Sequence, residues 1–337
     1  MTTTATAVTS PIQRLVSEPA PDRLAMSGSS VPLADWHRDL IRDGFAVVKG
    51  AVPKERAEKY TNDMFTWLED FNLGFDRNDA STIHKDKLPV INEKGMCLHY
   101  AVTHEDFVWQ VRSEPGVVGA FETVYNDKDL IVSFDAVGFG FPNRTDLPKN
   151  VPWPHQDQDP EKPGFSCLQG LVNLLPNGPD DGGLIVCKGA YRLSEQFHRE
   201  MAWEDRIPQW TNEWYGFTDN GMKWLADHGC EWVKVCAEPG DLLLWDSRVP
   251  HYNLSSTTSQ PRFCVYTCYM PVADVTQDDL VHRVGTTHWP NARHVGGNVA
   301  KRDGEIDINN RIRPRKDAVL SERAFQLTGI PYIKPST

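Results

Sequence analysis

Residues 239–270 read PGDLLLWDSRVPHYNLSSTTSQPRFCVYTCYM. Pro239-Gly240-Asp241 is a turn signal, and "DLLLWDS" (241–247) behind it is a short apolar run. "RFCVYTCYM" (262–270) is a second run, rich in β-branched and aromatic residues. The link between them holds Pro, Asn and Ser and no helical period, so it cannot supply the crossover helix that parallel strands need. The same pattern extends backwards. "LIVSFDAVGFGF" (130–141), "CLQGLVNLL" (167–175), "GGLIVCKGA" (182–190) and "EWVKVCA" (231–237) are short β-rich runs set apart by Gly, Pro, Asn and Asp. Strands without intervening helices predict an antiparallel sandwich or barrel from about 130 to 270.

The region before residue 130 reads differently. "PLADWHRDLIRDG" (32–44) is a short amphipathic helix with Gly44 past its end, "FAVVKGAV" (45–52) a strand, and 53–71 a helix with Pro53 suited to its first turn. Residues 72–96 are polar and irregular. "AVTHEDFVWQVR" (101–112) looks like a helix start with Thr103 as the cap, continued by "EPGVVGAFETVY" (114–125). The organisation is therefore mainly β with flanking helices. We expect a tail at 1–30, one domain over 31–280 with an insertion rich in Trp and charge at 191–228, and a polar C-terminal extension at 281–337 packing on the domain. The basic cluster "RIRPRK" (311–316) reads as a solvated face.

Composition bounds the function classes. The 337 residues carry a formal charge of −11, which argues against a general nucleic-acid binder. No run approaches a membrane span of roughly 18 apolar residues. The N-terminus lacks the apolar stretch of a secretory signal. It is Ser/Thr-rich with few early acids, so it reads as a disordered tail while organelle targeting stays open beside a cytoplasmic location. Seven cysteines without a C-x-x-C pair read as free thiols in a reducing compartment, with Cys264 and Cys268 in the core. A homodimer is compatible with all of this.

The pattern H-x-D occurs four times: His37/Asp39, His84/Asp86, His104/Asp106 and His155/Asp157. On a helix, positions i and i+2 point about 200° apart, which removes the first pair as joint metal ligands. Lys85 and Lys87 flank the second and would oppose a cation, and the third sits at a helix start. Only "VPWPHQDQDP" (151–160) opens the β-region, and on a strand i and i+2 share a face. A facial triad of two His and one carboxylate suits non-heme iron and needs another His. His251 is the candidate, with a loop His bonded to backbone as the bland alternative. Arg262, eleven residues on and opening a strand, needs a carboxylate partner and suits one end of a dicarboxylate. His282 and Arg293 share that spacing, but "WPNARHVGGN" (289–298) cannot be a core strand. Trp153 and Tyr252, beside the candidate histidines, could wall an apolar pocket or simply pack in the core.

Taken in order, these segments resemble the phytanoyl-CoA dioxygenase-like branch of the Fe(II)/2-oxoglutarate oxygenases, from about residue 40 to 270. The resemblance rests on "DGFAVVKGAVPKE" (43–55), "WPHQDQDP" (153–160), "LQGLVNLLPNGPDDGGLIVCKGAYR" (168–192), "PGDLLLWDSRVPHYN" (239–253) and "PRFCVYTCYMP" (261–271). Ala190-Tyr191 stands where the family usually has Ser-His. The resemblance implies a double-stranded β-helix (jelly-roll, cupin-like) core. It implies Fe(II) at His155, Asp157 and His251, with O2 as oxidant and 2-oxoglutarate as cosubstrate. Arg262 would bind the distal carboxylate of 2-oxoglutarate, Asn253 would assist, and Ser133 would line the cosubstrate pocket. It implies oxidation of a C–H bond in a small organic metabolite, by hydroxylation or by desaturation, cyclisation or epoxidation, with succinate and CO2 released. Related halogenases carry Ala or Gly where this chain has Asp157, so halogenation is not expected. The Trp-rich insertion would form a lid or cap the barrel. The alternatives are a non-catalytic metal-binding jelly roll and an iron oxygenase that does not use 2-oxoglutarate.

Overall fold

Gly44 ends the first helix for two reasons. In the computed structural model, α1 (Asp35–Asp43) stops where Gly44 takes φ 85° and its N–H bonds the Leu40 carbonyl. A Cβ there would also lie 2.6 Å from the Tyr191 ring and 2.7 Å from Val249. The structure describes residues 33–201, 211, 213–283 and 299–335. The expected tail at 1–30, Trp203 and Trp210 of the insertion, and Arg293 lie outside the described residues.

After α1 come β1 (Phe45–Val48), α2 (Lys54–Glu69), β2 (Met96–Cys97), α3 (Asp106–Arg112) and α4 (Pro115–Tyr125). Two expectations fail here. Thr103 does not cap α3: it lies in a 3-10 turn, Val102–His104, and the helix begins only after Glu105. Nor does helix run unbroken from 106 to 125. Pro115 pushes the residue before it away from helical geometry, and Glu114 accordingly takes ψ 128°.

The run 130–141 is two strands, β3 (Leu130–Val132) and β4 (Val137–Gly140), both paired with the same later strand. Then follow β5 (His155–Gln156), β6 (Leu168–Asn173), β7 (Gly183–Lys188), α5 (Ser194–Glu200), β8 (Tyr215–Gly216), α6 (Asp219–Asp227) and β9 (Glu231–Lys234). The chain continues with β10 (Leu242–Asp246), β11 (His251–Leu254), β12 (Arg262–Pro271), α7 (Gln277–Arg283), β13 (Lys301–Arg302), β14 (Glu305–Ile306) and α8 (Glu322–Leu327).

All strand pairs are antiparallel, as the absence of crossover helices predicts. One sheet runs β1-β10-β6-β12-β4-β2, with β3 also on β12; the second runs β8-β5-β11-β7-β9. The two face each other as a jelly roll, and residues of both line the cavity between them. The outer face of the larger sheet is closed by helices. Trp67 of α2 stacks on Phe139 at 5.3 Å, Phe65 meets Phe263 at 4.7 Å, and Phe121 of α4 meets Tyr269 at 4.4 Å. Such rings bury the largest apolar areas per residue and anchor this layer.

The insertion is more than a cap. It contributes β8 to the smaller sheet, beside β5, and closes its own apolar cluster around Phe197, Tyr215 and Phe217. The basic cluster 311–316 is only partly solvated. Arg311 turns inward over the rings of Phe71 and Trp67, and Arg315 pairs with Asp70 at 3.1 Å. Among the described residues no helix is long and apolar enough to cross a membrane.

Candidate metal centre

His155 and His251 are directly opposite one another across β5 and β11, with ring centroids 4.3 Å apart. β5 ends at Gln156, so the strand itself does not reach Asp157. The pairing is carried on by the Asp157 N–H, which donates to the Ser247 carbonyl at 3.1 Å. His155 Nε2 lies 3.6 Å from Asp157 Oδ1, and His251 Nε2 lies 3.4 Å from Oδ2. One ligand atom from each of the three falls within 4.8 Å of the others.

Backbone carbonyls orient both rings. His155 Nδ1 pairs with the Trp153 carbonyl at 3.0 Å, and His251 Nδ1 with the Val249 carbonyl at 2.9 Å. A carbonyl can only accept, so Nδ1 carries the proton in each ring and the Nε2 lone pairs face inward. That is the tautomer a metal-ligating imidazole requires. Burial, and then the neighbouring His251, lower the pKa of His155 to about 3. Burial opposes ionisation of Asp157, but His155, His251 and the Gln169 amide outweigh it and hold the carboxyl well below its usual range. Two imidazoles with Nε2 turned inward and one carboxylate fit a divalent iron ion.

The cavity beside this cluster is about 420 Å³. Arg262 borders it from the first position of β12, 8% exposed. Burial opposes its charge, but Cys264 and Tyr266 hold its pKa above the ordinary value. Among the described residues no carboxylate forms an ion pair with it. Gly183, at φ 87°, leaves it room, since a Cβ there would lie 2.9 Å from Arg262 Nε. Asn253, on the same face of β11 as His251, also borders the cavity, and its Nδ2 donates to the Lys94 carbonyl at 3.3 Å. Ser133 is placed otherwise. It is not among the residues bordering the cavity; its hydroxyl donates to Asp135, which is.

Trp153 stacks on His155 at 4.1 Å with Lys94 over its outer face at 3.3 Å. Tyr252 packs on Trp232 at 5.2 Å and touches the cavity. Tyr191, part of the Ala190-Tyr191 pair that stands where the family usually has Ser-His, donates its hydroxyl to the Ile41 carbonyl and packs under Arg248, tying the first helix to the barrel. Sequence reasoning had Trp214 only among the insertion aromatics of a lid or cap and missed that it stacks on His155 at 5.8 Å. It also missed Gln169, which donates to Asp157 Oδ2 at 2.8 Å. Gln169 was visible as a polar residue inside the apolar run 167–175, but its partner lies twelve residues away and only folding joins them.

The other H-x-D copies do other work. Asp39 pairs with Arg42 at 2.8 Å while His37 is buried, and His84 pairs with its own Asp86 at 3.2 Å. His104 packs edge-on to Phe134 at 4.8 Å, and burial, then the Arg112 charge, lower its pKa to about 4. Its protonation is therefore opposed in the folded chain and free in the unfolded one. Between pH 6.5 and 4 the unfolded chain binds the extra proton, so stability falls with falling pH across that window. The expected slope is about 1.4 kcal/mol per pH unit from this group. Urea unfolding at several pH values should show a shallower acid limb for His104→Gln than for the wild type; equal slopes would refute the assignment.

Comparison with known proteins decides the family. The model of the phytanoyl-CoA dioxygenase (PhyH) family matches residues 40–264. The chain belongs to the phytanoyl-CoA dioxygenase family. It is 38% identical over 266 residues to Ava biosynthesis cluster protein O of Aspergillus versicolor, covering 76% of this chain and 86% of that one. It is 23% identical over 284 residues to a putative phytanoyl-CoA dioxygenase of Dictyostelium discoideum, covering 72% and 76%. The crystal structure of EctD from S. alaskensis with bound Fe superposes with a TM-score of 0.50 at 17% identity, over 76% of this chain and 83% of that one, which supports the jelly-roll fold. As a phytanoyl-CoA dioxygenase family member the chain is an enzyme, an oxygenase dependent on iron and 2-oxoglutarate.

Proposed function

We propose that His155, Asp157 and His251 hold the iron, and that Arg262, assisted by Asn253, binds the distal carboxylate of 2-oxoglutarate. The observation that carries this is the inward-facing Nε2 pair closed by one carboxylate, beside a buried guanidinium with no carboxylate partner among the described residues. When bound, iron and 2-oxoglutarate supply the oxidising power for a C–H bond and release succinate and CO2. The chain's own part is to orient and to exclude water. The carbonyls of Trp153 and Val249 fix the two imidazoles, and Gln169 fixes the carboxylate. Trp153 and Trp214 stack on His155 and border the cavity.

The substrate is a small organic molecule seated in the cavity of about 420 Å³, which suits a metabolite of drug-like size. Hydroxylation, or a related desaturation, ring closure or epoxidation, fits an Asp at the third ligand position better than halogenation does. The formal charge of −11 supports a partner other than nucleic acid, and the free cysteines support a reducing compartment such as the cytoplasm. The test is anaerobic. Fe(II) followed by 2-oxoglutarate should raise a visible charge-transfer band from the chelated cosubstrate. Metal binding without that band would overturn the cosubstrate assignment.

A further inference from the structure

Three neighbouring strands of the larger sheet place Trp245, Gln169 and Cys268 in one row facing the cavity. Gln169 is opposite Trp245 on one side and Cys268 on the other. Trp245 is 3% exposed, and its ring meets that of His251 at 5.3 Å. Its indole Nε1 donates to Gln169 Oε1 at 2.8 Å, and Gln169 Nε2 donates to Asp157 Oδ2 at 2.8 Å.

The chemistry of the donors fixes this chain's direction. An indole nitrogen can only donate, whereas the two ends of a glutamine amide are opposite in kind. With Oε1 held by Trp245, the amide has one orientation, and that orientation presents an N–H to Asp157. A free glutamine could turn its oxygen toward the carboxylate, which would repel it. We propose that Trp245 and Gln169 act as a two-residue relay that positions Asp157, holding Oδ2 by the Gln169 amide so that Oδ1, beside His155 Nε2, is left for the metal. Both are positioning residues, since neither reaches the metal itself. The relay also joins two ligands: the indole that orients Gln169 is the one packed on His251. The inference rests on Asp157 being a ligand, as proposed above.

The experiment is a metal titration of the full chain, anaerobically with Fe(II) and separately with Co(II), whose visible spectrum reports coordination directly. The variants are Gln169→Met, Gln169→Glu, Trp245→Phe, and the double variant Gln169→Met with Trp245→Phe. Partners that orient a ligand are typically worth 10- to 100-fold in metal affinity. Gln169→Met should weaken metal binding by roughly that factor. Gln169→Glu, which sets a second carboxylate against Asp157, should weaken it at least as much. Trp245→Phe should weaken it less, because the glutamine remains but loses its fixed orientation.

The double variant decides the relay. If Trp245 acts through Gln169, the double variant binds metal no worse than Gln169→Met alone; independent contributions would multiply. Co(II) spectra of the weakened variants should also change shape, which a general loss of folding would not produce at saturating metal. Thermal melts of the metal-free proteins separate that case, and Trp245→Phe, a smaller change, carries the test should Gln169→Met fail to fold. Asp157→Ala is the control. If it binds metal like the wild type, the metal centre itself is misassigned. If it loses metal while Gln169→Met keeps affinity within twofold, or if the single effects multiply, the centre stands and the relay is wrong.

Discussion

The Asp157→Ala protein is expected to release no succinate above background, a fall on the order of a thousandfold or more, corresponding to about 4 kcal/mol at the barrier. The reasoning is geometric. His155 and His251 are held by their own strands and carbonyls and remain in place without the carboxylate. Two neutral imidazoles alone give a divalent cation neither charge balance nor a third facial ligand. The loss should come from the metal and not from folding. Alanine keeps the backbone N–H bond to Ser247 and gives up the one the carboxylate accepts from Gln169. A metal-free thermal melt close to that of the wild type, beside abolished succinate release, is the expected pair of results. Normal succinate production would refute the ligand assignment.

Arg262→Met should raise the 2-oxoglutarate concentration needed for half-maximal succinate release by roughly 10- to 150-fold. That range follows from losing one hydrogen-bonded charged contact of about 1.5–3 kcal/mol. The stability effect should go the other way. Arg262 is 8% exposed and, among the described residues, pairs with no carboxylate, so the fold bears its desolvation without an ion pair in return. Methionine fills similar space without charge. Without 2-oxoglutarate, then, Arg262→Met should melt no lower than the wild type. Added 2-oxoglutarate with metal should raise the melting temperature of the wild type by mass action and that of the variant far less. A variant with unchanged cosubstrate requirement would show that Arg262 does not bind the dicarboxylate.

How far the sequence could be read depended on whether a feature was local. The helix 35–43, its glycine stop and the antiparallel character of 130–270 follow from short-range rules of turn and period, and they stand in the structure. The misreadings also have local causes. The sequence reads as helix from 101–112 on through 114–125, but Pro115 and its effect on Glu114 divide it into two. The run 130–141 carries two polar residues, Ser133 and Asp135, at the departure that separates β3 from β4, but the apolar residues on either side read as one strand. Tyr191 could not be interpreted from sequence because its partners, Ile41 and Arg248, lie far away along the chain.

The sequence by itself determined the residue types available to the site and, for His155 and Asp157, their closeness: two residues apart at the head of a β-region, they must be neighbours. It determined the family through the order of its motifs. Only the tertiary structure decided that His251 stands opposite His155, that Arg262 is buried beside the cavity, and that Gln169 and Trp245 reach Asp157. The physical reason is strand register. A shift of one residue would turn His251 and Asn253 away from the cavity, and register is set by pairings along the whole sheet.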